Sequence, residues 1–370
     1  MVYKLIGSGS YGCVVQPPYN KNVLKVYKDY VKQEKTDIGK IFKSANDDSE
    51  FRKEYEQYTR LMKIPKFEKL SVPMKGANRV LLKDVNSEIQ ECVEEYLTQN
   101  ELKVDQIIYE YGGRSIKDLT SKIKYGTFMR MFYELLDAFE PFCMEKDRLH
   151  GDISYGNILI NDKKLSIIDF GFEQSQTGFF TNNNNKSFFN HLYIFYPPEY
   201  KISYGLYMNN SRKIDDLLKI GLENYNYTLK KFPRFNDVFT ETQILRQMQS
   251  VLAPSKIDKT MATVERKDFK PELIDIYSIC MVMFTMIDNI EFNNLDEYKT
   301  LLQILRMGLN HDYKARCNVT EIKRKIGKLD KLDKIDKQMI GGYDLKLRFK
   351  RRNKNKNKNQ NKNKNKNKKS

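Results

Sequence analysis

Residues 150–171 read His150-Gly151-Asp152-Ile153-Ser154-Tyr155-Gly156-Asn157, then Ile158-Leu159-Ile160, Asn161-Asp162-Lys163-Lys164, Leu165-Ser166-Ile167-Ile168, and finally Asp169-Phe170-Gly171. Two short apolar runs joined by a four-residue polar turn predict a β-hairpin. A hairpin brings its ends together, so Asn157 and Asp169, twelve positions apart, should lie side by side. An amide and a carboxylate so placed, with a second carboxylate at Asp152, suit a site that holds a divalent metal ion against phosphate oxygens. A lone HGD, or a DFG closing a buried strand, would carry little weight. Their spacing around a hairpin is what carries the reading.

The stretch resembles the eukaryotic protein kinase superfamily, whose catalytic loop reads H-R-D-L-x-x-x-N and whose metal-binding turn reads D-F-G. The resemblance implies an α+β, bilobal fold, with a small β-rich lobe carrying one key helix and a larger, mainly helical lobe. It also implies ATP as phosphoryl donor with Mg²⁺ (Mn²⁺ as the substitute). Asp152 would face the acceptor hydroxyl, and Asn157 and Asp169 would be the metal ligands.

The amino terminus fits the same expectation. After the strand-like Met1–Ile6 comes Gly7-Ser8-Gly9-Ser10-Tyr11-Gly12-Cys13-Val14-Val15, which matches G-x-G-x-x-G-x-V. A lone GxGxxG is weak, but Cys13-Val14-Val15 followed by Pro17-Pro18 forbids the helix of a dinucleotide-binding fold. Ile6 through Val14 is therefore expected to cover the nucleotide phosphates. A third strand, Asn22–Tyr27, offers Lys25 as the phosphate-contacting lysine, with Lys28 as the fallback. Its partner is expected on the helix marked by Phe51, Tyr55, Tyr58, Leu61 and Met62, where Glu54 falls inside the apolar stripe, Glu50 at its edge and Glu56 away from it. Gln106–Leu119 resembles the hinge between kinase lobes, with adenine near Glu110 and Tyr111 and Tyr109 limiting the pocket's depth.

Later marks resemble protein kinases more than small-molecule kinases. Tyr196-Pro197-Pro198-Glu199 resembles A-P-E, Asp275-Ile276-Tyr277-Ser278 resembles D-x-W-S, and Arg316 resembles the arginine that pairs with the A-P-E glutamate. The expected organisation is an N-lobe over 1–108, a hinge at 109–113 and a C-lobe over 109–327, with an activation segment at 169–199. A linker at 328–345 and a basic tail at 346–370 follow. Within the superfamily the chain is most similar to serine/threonine-protein kinases of giant (nucleocytoplasmic large) DNA viruses such as mimivirus. That narrower likeness rests on GCV before Pro-Pro, the short distance from glycine turn to lysine, and YPPE.

Departures qualify the expected chemistry. Gly151 replaces the arginine of H-R-D, Ser154 stands where lysine is usual, and Leu192 stands where a threonine precedes A-P-E. HGD and Ser154 leave an aminoglycoside-type small-molecule phosphotransferase as one alternative; a non-catalytic nucleic-acid-binding scaffold is another. Residues 200–270, rich in Tyr, Asn and Lys, have no family counterpart; they read either as surface elaboration or as a substrate-docking element, with helix-like patches at Asp215–Leu222 and Thr240–Leu252.

Composition fits an intracellular enzyme, in host cytoplasm or virion if viral. The longest mostly apolar stretch, Ile276–Ile287, is too short for a membrane span. The five cysteines are scattered without CxxC and read as reduced thiols. Of the net charge of +17, thirteen positive charges fall after Leu345 with no acid among them, leaving +4 on the rest. The Asn/Lys alternation of the tail predicts disorder. It reads either as compositional drift or as a sequence-blind contact for nucleic acid or anionic surfaces.

Overall fold

The computed structural model describes residues 4–9, 12–16, 18, 37–42, 50–81, 85, 87–94, 103–145, 148–161, 164–170, 174–175, 194–197, 214–251 and 272–329. Lys25, Ser10, Tyr11, Gly171, Leu192, Glu199 and the basic tail lie outside them. The chain divides into two compact units, Met1–Ile322 and Lys323–Ser370. In the second, only a helical stretch over 323–329 is described. The first has an α+β architecture.

Five antiparallel strands form its sheet: β1 (Lys4–Gly9), β2 (Gly12–Gln16), β3 (Ile38–Phe42), β4 (Met74–Leu81) and β5 (Lys103–Tyr109), in the order β1-β2-β3-β5-β4. The glycine-rich strands pair as expected, with Gly9 opposite Gly12 and a register irregularity between Leu5 and Gly7. The third strand differs from expectation. Ile38–Phe42 fills that place between β2 and β5, and the Asn22–Tyr27 segment lies outside the described residues. Gly39 leaves room for the Gln106 side chain: a Cβ there would stand 2.1 Å from the Gln106 side-chain oxygen, so a larger residue would push that side chain aside.

Alternation separates the faces of the sheet. Cys13, Val15 and Ile41 are buried in one cluster with Val80, Ile89 and Val104. Helix α1 (Glu50–Leu61) meets the other face, with the Phe51 ring 5.5 Å from Phe42 and Tyr58 5.4 Å from Tyr109. Next come the short α2 (Phe67–Leu70) and α3 (Ser87–Glu94). From α3, Cys92 closes a disulfide with Cys13 across a sequence separation of 79. This corrects the expectation of reduced thiols throughout: β2 and α3 present one cysteine each to the same apolar cluster, a proximity no local spacing betrays. Cys143, Cys280 and Cys317 are not disulfide-bonded. Closing a loop of that length is worth about 4 kcal/mol in the chain-entropy account. Cys92→Ala should therefore lower unfolding stability by about that amount, and reductant should do the same to the parent protein but nothing more to the variant. Denaturant titrations that show equal stability with and without reductant would contradict the bond's role.

The remaining elements carry the loops of the site. In chain order they are β6 (Arg114–Ser115), β7 (Ile123–Lys124), α4 (Tyr125–Met144), β8 (Arg148–Leu149), β9 (Ile158–Ile160), β10 (Leu165–Ile167) and β11 (Gln174–Ser175). Then follow α5 (Ile214–Lys231), α6 (Phe235–Val238), α7 (Glu241–Val251), α8 (Glu272–Thr285), β12 (Ile290–Glu291) and α9 (Leu295–Gly308). The expected hairpin forms, with Ile158 opposite Ile167 and Ile160 opposite Leu165. Helix α8 is buried from Leu273 through Phe284, as suits a central core helix. Among the described residues no helix is long and apolar enough to cross a membrane.

Of the 200–270 segment, the described residues 214–251 pack against the helices that follow. Phe232 and Phe235 set their rings 6.2 and 5.3 Å from Phe284 of α8, Arg306 of α9 donates to the Val238 carbonyl, and Gly221 leaves room for Met248 between α5 and α7. Both helix-like patches are helical, and Thr240 caps α7 by exchanging hydrogen bonds with Gln243.

Candidate active site

The loop 150–157 is held from behind by Asp275. Its carboxylate accepts the amides of His150 at 2.7 Å and Gly151 at 3.0 Å. Gly151 has φ +79°, a conformation that favours glycine and gives its presence a local reason beyond the loss of an arginine. The His150 ring Nδ1 accepts the Asp152 amide at 3.2 Å, which leaves Nε2–H to donate to the Ile168 carbonyl at 3.1 Å. Burial pulls this imidazole down to about 4, so it is neutral at pH 7, as that tautomer requires.

Asn157 and Asp169 meet as the hairpin requires. The Ile168 amide donates to the Asn157 carbonyl at 2.9 Å, placing Asp169 one residue further on. The Asn157 side-chain amide donates to the Asp152 carbonyl at 2.9 Å and to its carboxylate at 3.1 Å, which turns the amide oxygen the other way. Asp169 has φ +62°, a left-handed conformation costly for a residue with a Cβ. Phe170 secures it, buried against Phe67, Phe142 and His150.

Across the site, Lys40 of β3 reaches Glu54 of α1 at 2.5 Å. Glu54 thus has the ion pair foreseen for it, but with Lys40 in place of Lys25. The physical reason is register: β3 is built from 38–42, and Ile38 and Lys40 share the face turned toward α1. Burial lowers the Lys40 ammonium's pKa, yet the Glu54 and Asp169 carboxylates outweigh that and hold it above its ordinary value. Tyr109 donates its hydroxyl to the other Glu54 oxygen at 2.9 Å; burial and the Glu54 charge push that phenol well up, so it stays a donor. Gln57 donates to the Phe170 carbonyl, and Tyr58 donates its one proton to the Val72 carbonyl while accepting from the Ser71 hydroxyl.

These walls enclose a cavity of about 600 Å³. Ile6, Val14, Ile38, Tyr109, Leu159 and Ile168 supply apolar lining, while Lys40, Glu54, Asp118, Asn157 and Asp169 supply polar groups. Of the residues expected at a nucleotide, Ile6, Val14 and Tyr111 line it. Gly7, Ser8, Gly9 and Gly12 lie on the adjoining strands. Cys13 corrects the list: it is buried on the opposite face in its disulfide. Glu110 borders a neighbouring recess with Lys164 and its amide is bonded to the Pro73 carbonyl, so of its backbone groups only the carbonyl is left for the expected adenine contact. Beyond Tyr111 the chain passes so close to β9 that a Cβ on Gly113, at φ +103°, would lie 2.1 Å from the Ile160 carbonyl oxygen. Lys40, Ile38, Gln57 and Asp118 escaped the sequence reading. The alternation Ile38-x-Lys40 was the signal available for the first two.

Arg316, expected to pair with Glu199, is buried and donates to the carbonyls of Asn310 and Leu273. Glu199 itself lies outside the described residues. No protein-family model matches the chain, and no curated protein matches it.

Asp275 and His150 also set a pH signature. Burial raises the Asp275 carboxyl to about 7, against the two amide bonds that favour its ionised form. Its contribution to stability is present below pH 3.8 and lost as pH rises through 7. His150 is depressed, so its contribution is present above pH 6.5 and lost as pH falls through 4. Between about pH 4 and 6.5 the two slopes oppose each other. Asp275→Asn removes one of them, so its stability deficit relative to the parent should grow by about 3 kcal/mol on acidification across that window. Urea titrations at pH 6.5 and 4.5 measure it; a deficit equal at both would contradict the opposition.

Proposed function

We propose that the chain is an ATP-dependent protein kinase that transfers the γ-phosphoryl group to serine or threonine of proteins, on a bilobal kinase-like fold. The observation that carries this reading is the juxtaposition, on one cavity, of the Lys40–Glu54 pair with Asn157 and Asp169, with Asp152 hydrogen-bonded to Asn157. The cavity's volume suits a nucleotide, and its apolar residues offer a slot for the adenine. Lys40, held charged, would steady phosphate oxygens. Asp152 would orient the acceptor hydroxyl and take its proton as the hydroxyl oxygen attacks the γ-phosphorus and the bond to ADP breaks.

Asn157 and Asp169 present hard oxygen donors, the type magnesium takes. Among the described residues no group of three or more His, Cys, Asp or Glu side chains is placed to hold a metal ion, so phosphate and water oxygens would have to complete the coordination of an ion held by Asn157 and Asp169. When bound, Mg²⁺ would neutralise charge on the transferring phosphate. The rival small-molecule phosphotransferase draws support from Gly151 and Ser154. Labelled ATP offered with casein, basic proteins, sugars and aminoglycosides separates the two; label moving only to the small molecules would favour the rival. Intracellular location, viral origin and anion binding by the tail belong to the same proposal.

The ties from Glu54, Gln57 and Tyr58 brace α1 without help from a phosphorylated loop, and Gly151 offers no cation to grip one. Alanine at Ser175, Thr177, Thr181 and Ser187 together should leave peptide turnover largely unchanged. A loss of a hundredfold, about 3 kcal/mol in the barrier, would contradict it.

A further inference from the structure

Ser154 leaves the catalytic loop without its usual lysine, and another lysine stands beside that loop. Lys231 ends α5, and its ammonium lies 5.4 Å from the centre of the Tyr155 ring and 5.8 Å from that of Phe232. Tyr155 sits between Asp152 and Asn157, its carbonyl bonded by Ser115 and the Lys117 amide. Its ring lies 5.0 Å from Phe195, whose carbonyl accepts the Ser278 hydroxyl of α8. Phe195 immediately precedes the YPPE run. The cation thus lies against a ring of the loop that carries Asp152, and that same ring touches the end of the segment expected to receive the substrate.

A lysine in the last turn of a helix ordinarily complements the helix dipole, and Lys230 can do that here. Lys231 differs because its ammonium is spread over two rings and, among the described residues, has no carboxylate in ion-pair range. Arg234, three residues on, is paired with Asp288 at 3.0 Å. We infer that Lys231 is a specificity-determining residue that favours protein substrates with acidic side chains near the acceptor hydroxyl. This rests on the kinase reading of the site. At most ~11 Å of chain separates Asp152 and Tyr155, so the charge acts within about five extended residues of the acceptor.

The test compares serine peptides flanked by alanine with the same peptides carrying glutamate at single flanking positions, using labelled ATP and the full chain. The parent should prefer the best glutamate peptide by about two- to fivefold in kcat/KM. Lys231→Met keeps the aliphatic stem over Tyr155 and should abolish that preference without changing neutral-peptide turnover. Lys231→Arg should restore it and Lys231→Glu should invert it. A preference unchanged in Lys231→Met, or absent in the parent, overturns the inference. Loss of neutral-peptide turnover together with thermal stability would assign Lys231 a structural role and overturn it equally. If the parent phosphorylates no peptide or protein, the kinase proposal itself falls and takes this inference with it.

Discussion

Asp152→Ala is expected to lower phosphoryl transfer by about 10²–10⁴-fold, the range typical of a lost general base, while nucleotide affinity stays near the parent's. The geometry separates these effects. Asp152 is tied to Asn157 but does not line the cavity, so it can serve the acceptor without bearing on the nucleotide. Asp169→Ala should differ: it removes a carboxylate from the cavity wall and one of the charges that sustain Lys40. Both transfer and Mg-nucleotide affinity should fall. Equal loss of affinity in the two variants would blur the division of roles, and undiminished turnover in either would remove it.

Lys40→Met should be nearly as damaging, and Lys25→Met should not. Methionine keeps most of the volume but deletes the cation that Glu54 and Asp169 share. Removing one partner of a buried pair costs about 3–5 kcal/mol, because the other charge is left uncompensated. With both side chains here about one-fifth exposed, the lower end applies after solvent screening. Turnover should fall by a hundredfold or more at saturating ATP, and Glu54→Gln with Lys40→Met should cost less than the two losses added. A severe loss in Lys25→Met with Lys40→Met benign would return the phosphate contact to the earlier strand.

What the sequence disclosed depended on how local the cause was. The β9–β10 hairpin was legible because a polar turn sits between two apolar runs, and its closure alone brings Asn157 to Asp169. Asp275 and Ser278 were legible as a motif, and their hydrogen bonds to the loop and to Phe195 give it a physical basis. The third strand was not. Asn22–Tyr27, outside the described residues, has the stronger β-forming composition, and the place of Ile-Gly-Lys-Ile-Phe beside β5 rests on a partner 67 residues away, Gln106, whose side chain lies over Gly39. The proposed role of Lys40 lengthens the distance from the glycine turn to the lysine and takes that one mark away from the likeness to giant-virus kinases. The disulfide and the approach of Lys231 to Tyr155 share this character. Each joins residues far apart in the chain, and neither leaves a periodic trace. Residues 214–251 of the 200–270 segment were legible as helical, but their packing on α8 favours the reading as part of the core, so deleting the segment whole would test folding more than docking.

Phosphoamino-acid analysis of protein substrates labelled with γ-³²P ATP tests the central claim most directly. The parent should yield phosphoserine or phosphothreonine in the presence of Mg²⁺, and Asp152→Ala and Asp169→Ala should yield only background. Label appearing equally with parent and variants, or in no protein acceptor at all, would contradict it.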